Sequence, residues 1–145
     1  MQRGRFAPGD GDTSAWVRFN LRAHHLQAQL VERRAERAAK LWTALTKLAE
    51  AESLPERTVT AVYEARRGGA VRRTMYQHDE ELSTDQSARD LRMLTERGLL
   101  EAKGATKGRR YGATPVLGEL AYRGFQALGE LPPLKEPYGA RLLMR

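Results

Sequence analysis

A mainly α fold with one small β-hairpin is predicted for this chain by three stretches. Residues 83–97 open with Ser83, carry Gln86 three residues later and close on Gly98. That is a capping-box start and a left-handed C-terminal stop for a helix. Leu99 and Leu100 then begin an extended run, which the basic segment Lys103-Gly104-Ala105-Thr106-Lys107-Gly108-Arg109-Arg110 turns back into Tyr111. A strand, a turn and a second strand follow from that pattern. Finally, a long helical repeat of apolar residues precedes this region, and a shorter one follows it. A helix followed by a basic hairpin has the form of the recognition helix and wing of a winged helix-turn-helix, here preceded by a long helix and followed by a C-terminal helix.

In chain order, residues 1–14 are rich in glycine and have little to bury, which predicts a disordered tail. Residues 15–52 form the helical N-terminal segment. Trp16, Val17, Phe19 and Leu21 lead into Leu26, Leu30, Val31, Leu41, Trp42, Leu45 and Leu48 at three- and four-residue steps. A helix of roughly 40 Å at about 1.5 Å per residue exceeds one side of a small domain. Part of its apolar stripe therefore calls for a partner, either a dimer mate or a larger domain. Residues 53–114 form the winged-helix domain. Ser53 with Glu56 reads as a second capping box, with Pro55 in the first turn of a helix over 54–67. A shorter helix is predicted over 71–78, with Met75 and Tyr76 in the core, before the acidic turn Asp79-Glu80-Glu81. Residues 115–145 supply a helix started by Thr114-Pro115 and then a Pro-rich extended tail.

Charge narrows the partners. The 25 Lys and Arg against 18 Asp and Glu give a net charge of +7, and the pI is about 10.1. Double-stranded DNA is the anionic partner favoured first. No cysteine is present, so disulfides and thiolate metal sites are excluded. No apolar run suits a membrane span or a signal peptide, and a cytoplasmic protein with no membrane partner is expected.

Binding residues follow from where each side chain falls. At about 100° per residue, Ala88, Leu91 and Leu94 share the packing stripe of helix 83–97, while Gln86, Arg89 and Met93 face outward. Gln86, Ser87 and Arg89 lie near the end that enters a major groove, where arginine grips guanine and glutamine grips adenine. Arg92 bridges to phosphate. Asp85, Asp90 and Glu96 dilute the positive potential of the helix. In the wing, over 103–111, Lys103, Lys107, Arg109 and Arg110 stand against the single acid Glu101. Arg66, Arg67, Arg72 and Arg73 flank the first interhelical turn, within reach of the DNA backbone.

Catalytic patterns are not found in the sequence. His24 and His25 are adjacent and point about 100° apart on a helix, which rules out shared chelation. There is no phosphate-binding glycine loop, no nucleophile elbow and no His-Glu-x-x-His. No cofactor, no metal ligand and no catalytic residue is expected.

Several blocks resemble the C-terminal portion of Fic family proteins. They are Ala15-Trp16-Val17-Arg18-Phe19-Asn20-Leu21-Arg22-Ala23-His24-His25-Leu26-Gln27-Ala28-Gln29, the Arg-rich helix through Leu41-Trp42, Leu54-Pro55-Glu56-Arg57, and Ala88-Arg89-Asp90-Leu91 leading to Gly98-Leu99-Leu100. The order of the blocks, over roughly residues 15–114, is the most specific part of the resemblance. Fic proteins of this kind join an AMP-transferring helical core to a winged helix. The signature of that core, with Gly-Asn-Gly at its centre, is absent here. The resemblance therefore implies an origin for the long helix, as the last helices of such a core, and carries over no catalytic residue. Two functions are expected from this sequence. One is a homodimeric DNA-binding transcriptional regulator. The other is a non-catalytic interaction module that docks on a Fic-core protein.

Overall fold

The helix ends set the frame. In order, the elements are α1 (Ser14–Ala51), α2 (Thr58–Arg66), α3 (Arg73–Asp79), α4 (Thr84–Glu96), β1 (Leu100–Lys103), β2 (Arg110–Ala113) and α5 (Pro115–Ala127). A computed structural model describes residues 13–136, apart from the side chain of Lys107. The tail expected over 1–14 lies outside the described residues up to residue 12, and so does the chain beyond 136. The mainly helical architecture with one antiparallel hairpin, a long first helix and a C-terminal helix is the one the sequence predicts.

Ser83 accepts a hydrogen bond from the Gln86 amide at 3.1 Å and caps α4. Thr114 likewise accepts from the Leu117 amide at 3.2 Å, with Pro115 in the first turn of α5. Gly98, at φ +69°, lets the Leu99 amide bond back to the Leu94 carbonyl at 3.0 Å and ends α4.

Two starts differ from expectation. Ser53 does not open a helix. It sits at φ 52°, and the Leu54 amide donates to the Ala49 carbonyl at 2.8 Å, so this serine closes α1 in a Schellman turn. Leu54-Pro55-Glu56 is therefore turn, and α2 begins at Thr58 rather than 54. Val71 is not helical either. It exchanges backbone hydrogen bonds of 2.9 and 2.8 Å with Tyr111, adding a bridge to the hairpin edge, so α3 starts at Arg73. Tyr76 is buried as expected, but Met75 is 54% exposed, because α3 presents only one face to the core.

Contacts divide the chain at a different place from the expected boundary at 52 and 53. Glu36–Leu131 form one unit, and the residues before 36 form another with those from 132. The last turns of α1 belong with the winged helix because Leu41, Leu45, Leu48 and Ala49 join its core with Val59, Val62, Tyr76, Leu91, Leu94, Leu100 and Leu117. Gly124 of α5 allows a close approach, since a Cβ there would stand 3.2 Å from the Ala44 Cβ. Within the other unit, residues 132–136 run antiparallel to the first half of α1. Gln29 exchanges two hydrogen bonds with the Lys135 backbone, at 2.6 and 2.7 Å, and Arg22 pairs with Glu136 at 3.0 Å.

One polar group lies at the junction of three helices. Asp90 is 3% exposed. Its carboxylate accepts from Arg57 Nε at 2.7 Å and Nη2 at 3.0 Å, from the Tyr76 hydroxyl at 2.9 Å and from Gln86 Nε2 at 2.9 Å. Burial alone pushes the carboxyl up, but the bonds from Arg57, Tyr76 and Gln86 outweigh it and hold the group below its ordinary value. Burial, then the bond to Asp90, raises the Tyr76 phenol, which stays a donor. The bond to Asp90 raises Arg57 despite its partial burial. The sequence reading treats Asp90 as a surface acid that weakens the positive face of α4, whereas here it is buried and neutralised.

Replacing Asp90 with alanine leaves four donors from three side chains unmatched, and denaturant unfolding is expected to show a loss of about 3 kcal/mol. Because the folded carboxyl is depressed, its stabilisation is complete above the unfolded value of about 3.9 and fades as pH falls through the lower folded value. The stability gap between wild type and Asp90→Asn should therefore be constant from neutral pH to about pH 5 and close below about pH 4. A gap that does not change with pH would show that folding does not shift the Asp90 carboxyl, and a gap that narrows as pH rises would show that it is held neutral in the folded state.

Candidate nucleic-acid interface

Asp90 fixes which side of α4 faces outward. With Ser87, Asp90, Leu91 and Leu94 all buried, the exposed line of the helix is Asp85, Arg89, Arg92 and Glu96, spaced by steps of four, three and four. The expected outward face, through Gln86 and Met93, is thus rotated. Met93 packs against the core, and Gln86 is half-buried with its amide donating to Asp90. Ser87 is 0% exposed, with its hydroxyl donating to the Thr84 carbonyl at 2.9 Å. The assignment of Ser87 as a DNA contact is therefore corrected. A small residue on the inward stripe fits there because its hydroxyl is satisfied within its own helix.

The wing is built by β1 and β2 in antiparallel register, with Leu100 opposite Ala113, Ala102 opposite Tyr111 and Lys103 opposite Arg110. Gly104, at φ +84°, makes the turn, and a Cβ there would also stand 3.1 Å from the Gly108 carbonyl oxygen. A 3-10 turn at Thr106–Gly108 completes the connection. Tyr111 is held to Val71 by the bridge, so residues 72 and 73 are placed beside the wing.

Between α4, the start of α3 and the wing lies a cleft of about 970 Å³. Arg72, Arg73, Arg92 and Arg109 line it, with Thr74, Thr95, Thr106, Tyr111 and a single acid, Glu96. None of the four guanidinium groups makes a hydrogen bond or ion pair among the described residues. Four cations converging without partners repel one another, and an anion in the cleft would relieve that repulsion. Guanidinium forks and threonine hydroxyls are the donors that suit phosphate oxygens.

The remaining basic groups divide by position. Arg89 is exposed on α4, and its Nε lies 3.4 Å from the Asp85 carbonyl. Arg110 lines a separate hollow with Arg66 and Gly112. Lys103, in that same hollow, is paired with Glu101. The side chain of Lys107 lies outside the described residues. Arg67 stacks over Tyr63 at 5.6 Å and stands 3.8 Å from Glu64. Of the expected contacts, then, Arg92 and Arg109 are brought together, while Arg72 and Arg73 join them through a strand pairing.

Among the described residues, no cluster of three or more His, Cys, Asp or Glu side chains could hold a metal ion. No helix among them is long and apolar enough to cross a membrane. Neither a family model nor a curated protein matches the chain.

Because the side chains of Arg92 and Arg109 are exposed and make no hydrogen bond or ion pair among the described residues, Arg92→Ala and Arg109→Ala should each shift unfolding free energy by less than about 0.5 kcal/mol. Thermal melting of the two variants beside wild type checks this. A larger loss in either would assign the residue a structural role instead.

Proposed function

We propose that the protein binds duplex DNA through α4 and the wing and acts as a transcriptional regulator in the cytoplasm, without catalytic activity. The observation that supports this is the cleft where Arg72, Arg73, Arg92 and Arg109 converge without partners among the described residues. Its chemistry suits the phosphate backbone, which supplies most of the affinity in such complexes. Arg89, exposed on the line that leads to the N-terminal end of α4, takes the base-reading role, because a bidentate arginine distinguishes guanine from the other bases. Arg110, facing away from the cleft, reaches a further phosphate beside the wing. Gln86, whose amide donates to Asp90, takes a supporting rather than a base-reading role in this proposal.

A second reading keeps the chain as a non-catalytic module related to the C-terminus of Fic proteins, docking on a Fic core. It draws support from the exposed Trp16 and Phe19 at the start of α1.

Fluorescence anisotropy on a pool of duplexes separates the roles. Arg92→Ala and Arg109→Ala should each weaken binding about tenfold whatever the sequence, whereas Arg89→Ala should narrow the difference between preferred and random duplexes. Failure of the wild-type chain to bind any duplex at about 50 mM salt would overturn the DNA reading.

A further inference from the structure

We infer that the first half of α1 is a self-association seam, and that its occupant is a second copy of this chain. Trp16, Phe19, Ala23, Leu26 and Leu30 follow one another by steps of three, four, three and four residues. That is the spacing that places apolar groups along one side of a helix pair. Trp16 is 68% exposed, Phe19 70% and Leu30 43%, so the line is uncovered where its largest side chains lie.

Charge selects the occupant. The chain carries +7 in total, so most of its surface repels a second copy. The seam is an exception. Residues 16–30 contain no acid, and on one flank Asn20 and Gln27 are uncharged. On the other flank Gln29 is held by Lys135, and Arg22 is neutralised by Glu136 at 3.0 Å. Two such seams meet without opposing like charges. A strongly acidic or basic partner, by contrast, would find no complementary row of charges along this line.

The area agrees with this. Large aromatic side chains bury about 150–250 Å² each. Two seams joined with their polar flanks therefore remove on the order of 1,200 Å², the lower end of the range for stable protein interfaces. A dimer that exchanges with monomer on dilution follows. This inference goes beyond the DNA reading and does not depend on it, since the seam shares no residue with the cleft.

Light scattering after size exclusion of the full chain, without DNA, tests it. At tens of micromolar (roughly the protein range where weak interfaces fill) the expected mass is twice that of the chain. Trp16→Glu with Phe19→Glu should halve it while circular dichroism retains the wild-type helix signal. Leu21→Glu, an exposed apolar position on the opposite side of the same helix, should leave the dimer intact. A monomeric wild-type chain, or a dimer that survives the double substitution, would overturn the proposal. So would a monomer that dimerises only after removal of residues 137–145, because the chain's own end would then be the occupant.

Discussion

The buried carboxylate of Asp90 is the constraint on which the rest of the winged helix depends. It gathers Arg57 at the entry to α2, Tyr76 of α3 and Gln86 of α4 around one acceptor. A buried charge is tolerable only when its hydrogen bonds are all made, so the three helices are held in one relative arrangement. The rotation of α4 follows. With Asp90 inward, Ser87, Leu91 and Leu94 must also point inward, and Arg89 and Arg92 must point out. Thus the positive face of the helix is set by an acid on its hidden side.

Electrostatic function then turns on which cations have partners rather than on how many there are. Arg57 is committed to Asp90, Arg97 to Glu52, Arg123 to Glu119 and Lys103 to Glu101. Arg72, Arg73, Arg92 and Arg109 are not so committed among the described residues, and they line a single cleft. A net charge spread evenly over a surface gives weak, screened attraction. Concentrated in a concave site, the same kind of charge gives a focused field. The wing contributes because its bridge to Val71 brings Arg72 and Arg73, at the start of α3, alongside Arg109.

Local chemistry was legible in the sequence where it is local in the structure. Ser83, Gly98 and Thr114-Pro115 mark helix ends through bonds that span at most five residues. The hairpin was legible for the same reason, since Lys103 and Arg110 are joined by a short Gly-containing turn. Ser53 shows the limit of such signals. Ser-Leu-Pro-Glu fits a capping box, but the serine lies two residues past the end of α1 and its backbone is used to close that helix. Long-range partners account for the other differences. Nothing near Val71 announces Tyr111, and nothing near Asp90 announces Arg57, 33 residues away. Without Arg57, an Asp between Arg89 and Leu91 reads as a surface residue. With it, the outward face of α4 turns away from Gln86 and toward the wing.

The salt dependence of wild-type binding tests the central claim most directly. Each phosphate neutralised releases counterions and contributes a slope of about −0.9 to log K against log salt. Four cleft arginines, with or without Arg110, correspond to a slope of about −3 to −5 between roughly 50 and 200 mM salt. A slope in that range, reduced by about one in Arg109→Ala, is the expected result. A slope near zero, or one unaffected by Arg109→Ala, would contradict the assignment of the cleft to the phosphate backbone of DNA.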